Sequence, residues 1–225
     1  MRRSIPGKSL RPVFIALVLL GLAAIPATGA TTGLLSFVEV EYDYMSLISP
    51  NDAVVSPDDE HVYVTSESGD VVVVFDRNTT TGTMTFVEMQ KDGVGPVDGL
   101  NGARSVAISP DGDYAYVVGR LDNAVAVFSR SVITGGLTFV EMQQNGVGGV
   151  QGMHDPTSVT VSPDRNHVYV TGHGYDAVVV FSRSIITGGL AYVETQQNGV
   201  GGVDGLWDAN SVVVSPDNKH VYVAS

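Results

Sequence analysis

Ser105-Val106-Ala107-Ile108-Ser109-Pro110-Asp111-Gly112-Asp113-Tyr114-Ala115-Tyr116-Val117-Val118 reads as strand, tight turn, strand, and it has counterparts at a fixed distance along the chain. Its Ser-Pro-Asp recurs at Ser56-Pro57-Asp58, Ser162-Pro163-Asp164 and Ser215-Pro216-Asp217, each step 53 residues long. Phe75, Phe128 and Phe181 close the next apolar run with the same step, and a Phe/Tyr-Val-Glu triplet falls at Phe37, Phe86, Phe139 and Tyr192. Pro presets φ in the turn, Asp bonds its own backbone, and Gly112 accepts a positive φ.

One full period contains two more strands. After Tyr114 to Val118, Gly119 to Asn123 turns the chain into Ala124-Val125-Ala126-Val127-Phe128. Thr134-Gly135-Gly136 then leads into Leu137-Thr138-Phe139-Val140-Glu141-Met142. Val71 to Phe75 and Ala177 to Phe181 are continuous apolar runs, as strands covered on both faces must be. The last strand alternates, with Leu137, Phe139 and Glu141 expected on one face and Thr138, Val140 and Met142 on the other. Four short antiparallel strands per rigid period specify an all-β fold, a β-propeller with one blade per repeat. A β-sandwich gives no reason for the period.

Blades are expected near residues 53–90, 105–143 and 158–196, with a partial blade at 210–225 and an orphan outer strand at 35–41. Three complete blades with partial ones at the ends suggest the N-terminal part of a larger, seven-bladed ring; closure at four blades with a defective seam is the alternative.

The first 30 residues are set apart. Arg2, Arg3, Lys8 and Arg11 precede the apolar run Val13 to Ile25, which ends in small residues at Ala30. This is the pattern of a secretory signal peptide. The run of 13 residues is shorter than the about 20 a membrane-spanning helix requires. The expected location is secreted or periplasmic, with no membrane span after cleavage. Four of the 12 basic residues and none of the 24 acidic ones lie in the leader, so the remainder carries a formal charge of −16. Such a surface repels nucleic acid. The chain has no cysteine, so no disulfide supports it.

The loops from each fourth strand to the next first strand are Gly-rich: Gly93 to Leu100, Gly146 to Met153 and Gly199 to Leu206. Gly93-x-Gly95 opens no helix, so it lacks the physics of a phosphate cradle. Side chains that break the repeat on this face are the better site candidates. Glu67, Arg104, Arg120, His154 and His173 are the candidates for acid–base and oxyanion roles, and Asp155, Tyr175, Trp207 and Asp208 for ligand contacts. His61, His167 and His220 share one slot beside the tight turn and read as structural. Asp98, Asp155, Asp204 and Asp208 lie near glycines, a composition compatible with Ca²⁺ but without the spacing of an EF-hand. No other cofactor is expected, and the metal content is open.

From Ser109-Pro110-Asp111-Gly112 through Tyr116-Val117 and Val125 to Phe128, the repeat resembles the lactonase-type seven-bladed propellers, which include 6-phosphogluconolactonase-like proteins. Val62-Tyr63-Val64-Thr65 and Val168-Tyr169-Val170-Thr171 are similar to the YVTN repeats of surface propellers. The resemblance implies the fold and leaves two functions: a binding scaffold for an extracellular lactone, glycan or protein, or a lactone hydrolase. Enzymes of this type often carry His-Pro before an inner strand; here His154-Asp155-Pro156 has an Asp inserted.

Overall fold

The computed structural model describes residues 47–225 in full, and of the preceding residues only the backbone of two strands, β1 (Leu17–Leu22) and β2 (Leu35–Glu41). These pair antiparallel in a sheet of their own. The rest of the expected leader lies outside the described residues.

Beyond them the chain is all β. One four-stranded antiparallel sheet comprises β3 (Pro50–Val55), β4 (His61–Ser66), β5 (Val71–Arg77) and β6 (Met84–Lys91), in sequence order. The second comprises β7 (Ala103–Ile108), β8 (Tyr114–Gly119), β9 (Ala124–Arg130) and β10 (Leu137–Gln144). The third comprises β11 (Pro156–Val161), β12 (His167–Gly172), β13 (Ala177–Arg183) and β14 (Leu190–Gln197). A two-stranded sheet, β15 (Ser211–Val214) and β16 (Val221–Ala224), follows. The first strands β3, β7, β11 and β15 lie side by side, which makes them the inner strands of a propeller. Helix among the described residues is limited to one 3-10 turn, His173–Tyr175. No helix there is long and apolar enough to cross a membrane.

The apolar runs divide their side chains between two neighbours. Ala126 and Phe128 of β9 pack with Tyr63, Val72 and Val74 of the first blade. Val125 and Val127 pack with Val168, Val170 and Val179 of the third. Every residue from Ala124 to Phe128 is fully buried, so the absence of polar alternation follows from stacking blades on both faces.

The turns are built as the composition requires. Ser56 Oγ donates to Asp58 Oδ1 at 2.5 Å and accepts the His61 N–H at 3.0 Å. Ser109, Ser162 and Ser215 do the same with Asp111, Asp164 and Asp217. The next position has positive φ in every copy: Asp59, Gly112, Arg165 and Asn218. Three of the four accept that conformation without being glycine, because the serine bridge fixes the turn around them.

The outer strand departs from the expected alternation. Each carries a β-bulge, skipping Val87, Val140 or Val193 opposite the central strand. One extra residue inverts the facing beyond it. Leu137, Phe139 and Met142 therefore face the first blade, and Glu141 turns to the third, where its Oε1 accepts the Leu190 N–H at 2.8 Å. Glu88 accepts Leu137 N–H at 2.7 Å in the same way. The Phe/Tyr-Val-Glu triplet is thus a bulge followed by an inter-blade acceptor.

A second inter-blade tie lies on the face of the Ser-Pro-Asp turns. Arg130, with a side chain 0% exposed, reaches from the second blade into the first: Nε donates to Tyr63 Oη at 2.5 Å and an Nη to Asp58 Oδ2 at 2.7 Å. Its other bonds go to the Gly112 carbonyl at 2.9 Å and to His61 Nδ1 at 2.8 Å. A guanidinium has only donors, so this His61 nitrogen accepts. Arg183 repeats the pattern with Tyr116 at 2.6 Å and Asp111 at 3.1 Å. Burial pushes the Asp58 carboxyl up, but bonds from Ser56 and Arg130 outweigh it and hold it near 2, against an ordinary 3.8. Burial pushes the Tyr63 and Tyr116 hydroxyls up to about 12.

Candidate functional site on the channel face

On the opposite face the turns between second and third strands meet the loops entering the inner strands. Asp70, Asn123 and Asp176 recur with the period and all have positive φ. Each side chain accepts a backbone N–H from the next blade, of Gly102, Asp155 or Asp208, at 2.8 Å. Those acceptors cap the strand entries, so the side chains beside them stand on a fixed frame.

Four of the expected residues form one network on that frame. Glu67 Oε1 accepts from Arg120 Nε at 2.7 Å, and Glu67 Oε2 accepts from Asn51 Nδ2 at 2.7 Å. A second Arg120 nitrogen donates to Asp155 Oδ1 at 2.8 Å, so the arginine bridges three blades. Arg104 Nη1 stands 3.6 Å from Glu67. Burial pushes the Glu67 carboxyl up, but the Asn51 and Arg120 hydrogen bonds and the two guanidinium charges hold it below the ordinary range. The bonds to Asp155 and Glu67 raise Arg120 further. Glu67 is therefore a fixed anion and a poor proton acceptor at neutral pH.

Arg104 is the less committed of the two arginines. Its guanidinium makes no hydrogen bond among the described residues beyond the long ion pair to Glu67. It borders a cavity of about 300 Å³ at the inner strands, lined also by Asn51, Asp52, Ser105, Thr157, Asn210 and Ser211. Asp52, which the repeat comparison did not single out, is consumed internally: Oδ2 accepts Ser105 Oγ at 2.8 Å and Val106 N–H at 3.0 Å. Its signal was present, because Ser105, Ser158 and Ser211 occupy the same position in the other copies.

The histidines pair elsewhere on this face. His154 is exposed and meets Tyr175 edge to face, ring centroids 5.4 Å apart. Gly174 makes room for it, since a Cβ there would stand 2.2 Å from His154 Nδ1. His173 Nε2 lies 3.8 Å from Asp208, while its Nδ1 is buried with no partner among the described residues. Trp207 is 66% exposed. Among the described residues the His154 side chain makes no hydrogen bond or ion pair with the Arg120 network, although Asp155 follows it in the chain.

Of the carboxylates considered for Ca²⁺, Asp98 meets Asp92 and Asp122, with oxygens within 4.8 Å. Burial, followed by the charges of Asp92 and Asp98, raises Asp122. Asp155 and Asp208 lie instead with Arg120 and His173.

Residues 93–225 match the family described as "Lactonase, 7-bladed beta-propeller". The chain belongs to that family. A curated relative from Staphylococcus epidermidis, itself uncharacterized, is 26% identical over 131 residues, 55% of this chain and 37% of its own length. The periplasmic gluconolactonase PpgL of Pseudomonas aeruginosa has a similar fold, with TM-score 0.72 and 22% identity over 93% of this chain and 56% of that one. A Bacteroides fragilis structure provisionally assigned as a 6-phosphogluconolactonase gives TM-score 0.71 at 17% identity, over 93% of this chain and 57% of that one. The lactonase-type chain described here thus spans under two thirds of the length of each, and at these identities the structural likeness concerns the fold.

Proposed function

We propose that this lactonase-type propeller is an exported binding protein whose channel face takes a small hydroxyl-rich ligand of the sugar-lactone or aldonate class. One observation carries the reading: Arg104, a cation with unspent donors, borders a 300 Å³ cavity otherwise lined by amides, hydroxyls and an internally consumed Asp52. Amide and hydroxyl groups suit sugar hydroxyls, and a guanidinium suits a lactone carbonyl or a carboxylate. The gluconolactonase name of a structural relative supports this ligand class. The basic and apolar pattern of the leader supports export.

Lactone hydrolysis is the second reading, favoured by an exposed imidazole, His154, on the same face as Arg104 and Arg120. In it, His154 activates water and an arginine steadies the carbonyl oxyanion. The test is calorimetric titration of the full-length chain with glucono-δ-lactone and gluconate, with turnover followed by pH-stat. Arg104→Ala is expected to weaken binding at least about tenfold; binding unchanged in that variant overturns the channel site. Turnover above background that both His154→Ala and Arg104→Ala abolish replaces the binding reading with the hydrolytic one.

A further inference from the structure

A second cavity on the loop face lies between the second and third blades. It measures about 570 Å³ and is lined by Asn145, Gln151, Tyr175, Tyr192, Thr195 and Gln197, together with loop glycines and Val200. It shares no residue with the channel cavity. The size falls within the ~300–1,000 Å³ usual for small-molecule sites. In a chain of formal charge −12, no charged side chain lines it.

The repeat supplies its own comparison. One period earlier, the slot between the first and second blades carries Asp92, Asp98 and Asp122 where this one has Asn145, Gln151 and Tyr175. It carries Phe139 and Met142 where this one has Tyr192 and Thr195. Met142 lies over Gly99, whose added Cβ would stand 3.1 Å from its sulfur. Thr195 covers Gly152 in the same way but is two heavy atoms shorter than a methionine, and it turns its hydroxyl to the Gln151 carbonyl at 2.6 Å. Thr195 Oγ1 then accepts the Tyr192 hydroxyl at 3.0 Å, its own proton being held by the Gln151 carbonyl. Five differences from the preceding slot thus replace three carboxylates, shorten the filling side chain and add two phenols, with Asn145 itself recurring as Asn198.

Enough hydrogen-bonding capacity remains for a ligand. Asn145 spends only its Oδ1, on the Met153 N–H at 3.1 Å, and Gln197 only its Nε2, on the Tyr175 carbonyl at 3.2 Å. Among the described residues the Gln151 amide and the Tyr175 hydroxyl bond to nothing, and Tyr175 is 43% exposed. Neutral amides match the paired donor and acceptor character of sugar hydroxyls. The negative face of a tyrosine ring suits the C–H face of a pyranose.

We infer that this inter-blade pocket is a binding site for a neutral saccharide, with Tyr175 as the stacking surface and Asn145, Gln151 and Gln197 as hydroxyl ligands. A carboxylated sugar has no cation to pair with there and should be rejected.

The test uses the full-length chain, titrated by calorimetry and saturation-transfer NMR with methyl glucoside, cellobiose and N-acetylglucosamine. Glucuronate is the charged comparator. At least one neutral probe should bind, with glucuronate about tenfold weaker or undetectable. Thr195→Met, which restores the residue of the neighbouring repeat, should weaken binding at least about tenfold. Gln151→Ala, an exposed side chain without hydrogen bonds, should weaken it about threefold or more with an unchanged melting temperature. That variant decides the matter if Thr195→Met fails to fold. No neutral probe binding at 20-fold excess over ~1 mM, glucuronate binding as well as the neutral probes, or undiminished binding in Gln151→Ala each overturns the inference.

Discussion

Replacing Arg130 with Met should loosen the first blade from the second. The guanidinium is fully buried and binds Asp58, Tyr63, His61 and the Gly112 carbonyl. Methionine keeps much of the stem's apolar packing but leaves these acceptors unpaired. Removing one partner of a buried ion pair costs about 3–5 kcal/mol. The Asp58 side chain is 31% exposed and water recovers part of that loss, so about 2–4 kcal/mol is expected after screening. At ~2–4 °C per kcal/mol for a chain of this size, melting should fall by roughly 5–15 °C. The assay is urea and thermal denaturation of the parent, Arg130→Met, Asp58→Asn and the double variant. Because Asp58 and Arg130 touch, the double variant should recover at least about 1 kcal/mol relative to additivity. A loss below about 1 kcal/mol for Arg130→Met, with additive effects, would mean that apolar stacking alone holds the blades.

Acid should act on the Asp58 tie and on the ion pairs of Asp111 and Glu67 alike. Asp58, Asp111 and Glu67 are all held below their ordinary range. Their contribution is complete above the ordinary carboxylate pKa and is lost as pH falls through the folded value, for Asp58 between 3.8 and about 2. Melting temperatures should drop across that window, and less steeply in Arg130→Met. Glu67→Gln removes the anion that occupies Arg120 and faces Arg104; gluconate affinity should rise several-fold while lactone affinity changes little, as calorimetry will show. Gly174→Ala places a methyl where the His154 ring lies. The His154 and Tyr175 NMR resonances should shift as the edge-to-face pair opens, at a stability cost of about 1–3 kcal/mol.

The sequence alone determined the architecture, because the information is local and repeated. The 53-residue step, the Ser-Pro-Asp turn and the uninterrupted runs such as Ala124 to Phe128 each state a strand or a turn, and repetition states that they stack. It also marked Glu67, Arg104 and Arg120 as departures from the repeat, and these are gathered with Asp155 in one network. The bulge at Val140 was not legible, since one skipped residue leaves the composition of the strand unchanged while inverting Glu141 and Met142. Arg130 and Arg183 recur visibly with the period, yet their partners Asp58 and Asp111 lie 72 residues away. Only stacking one blade on the next brings them together. The same stacking separates His154 and His173 into different pairings and opens the pocket at Thr195. Side-chain identity sets what each residue can do chemically; the blade interface decides which residues meet.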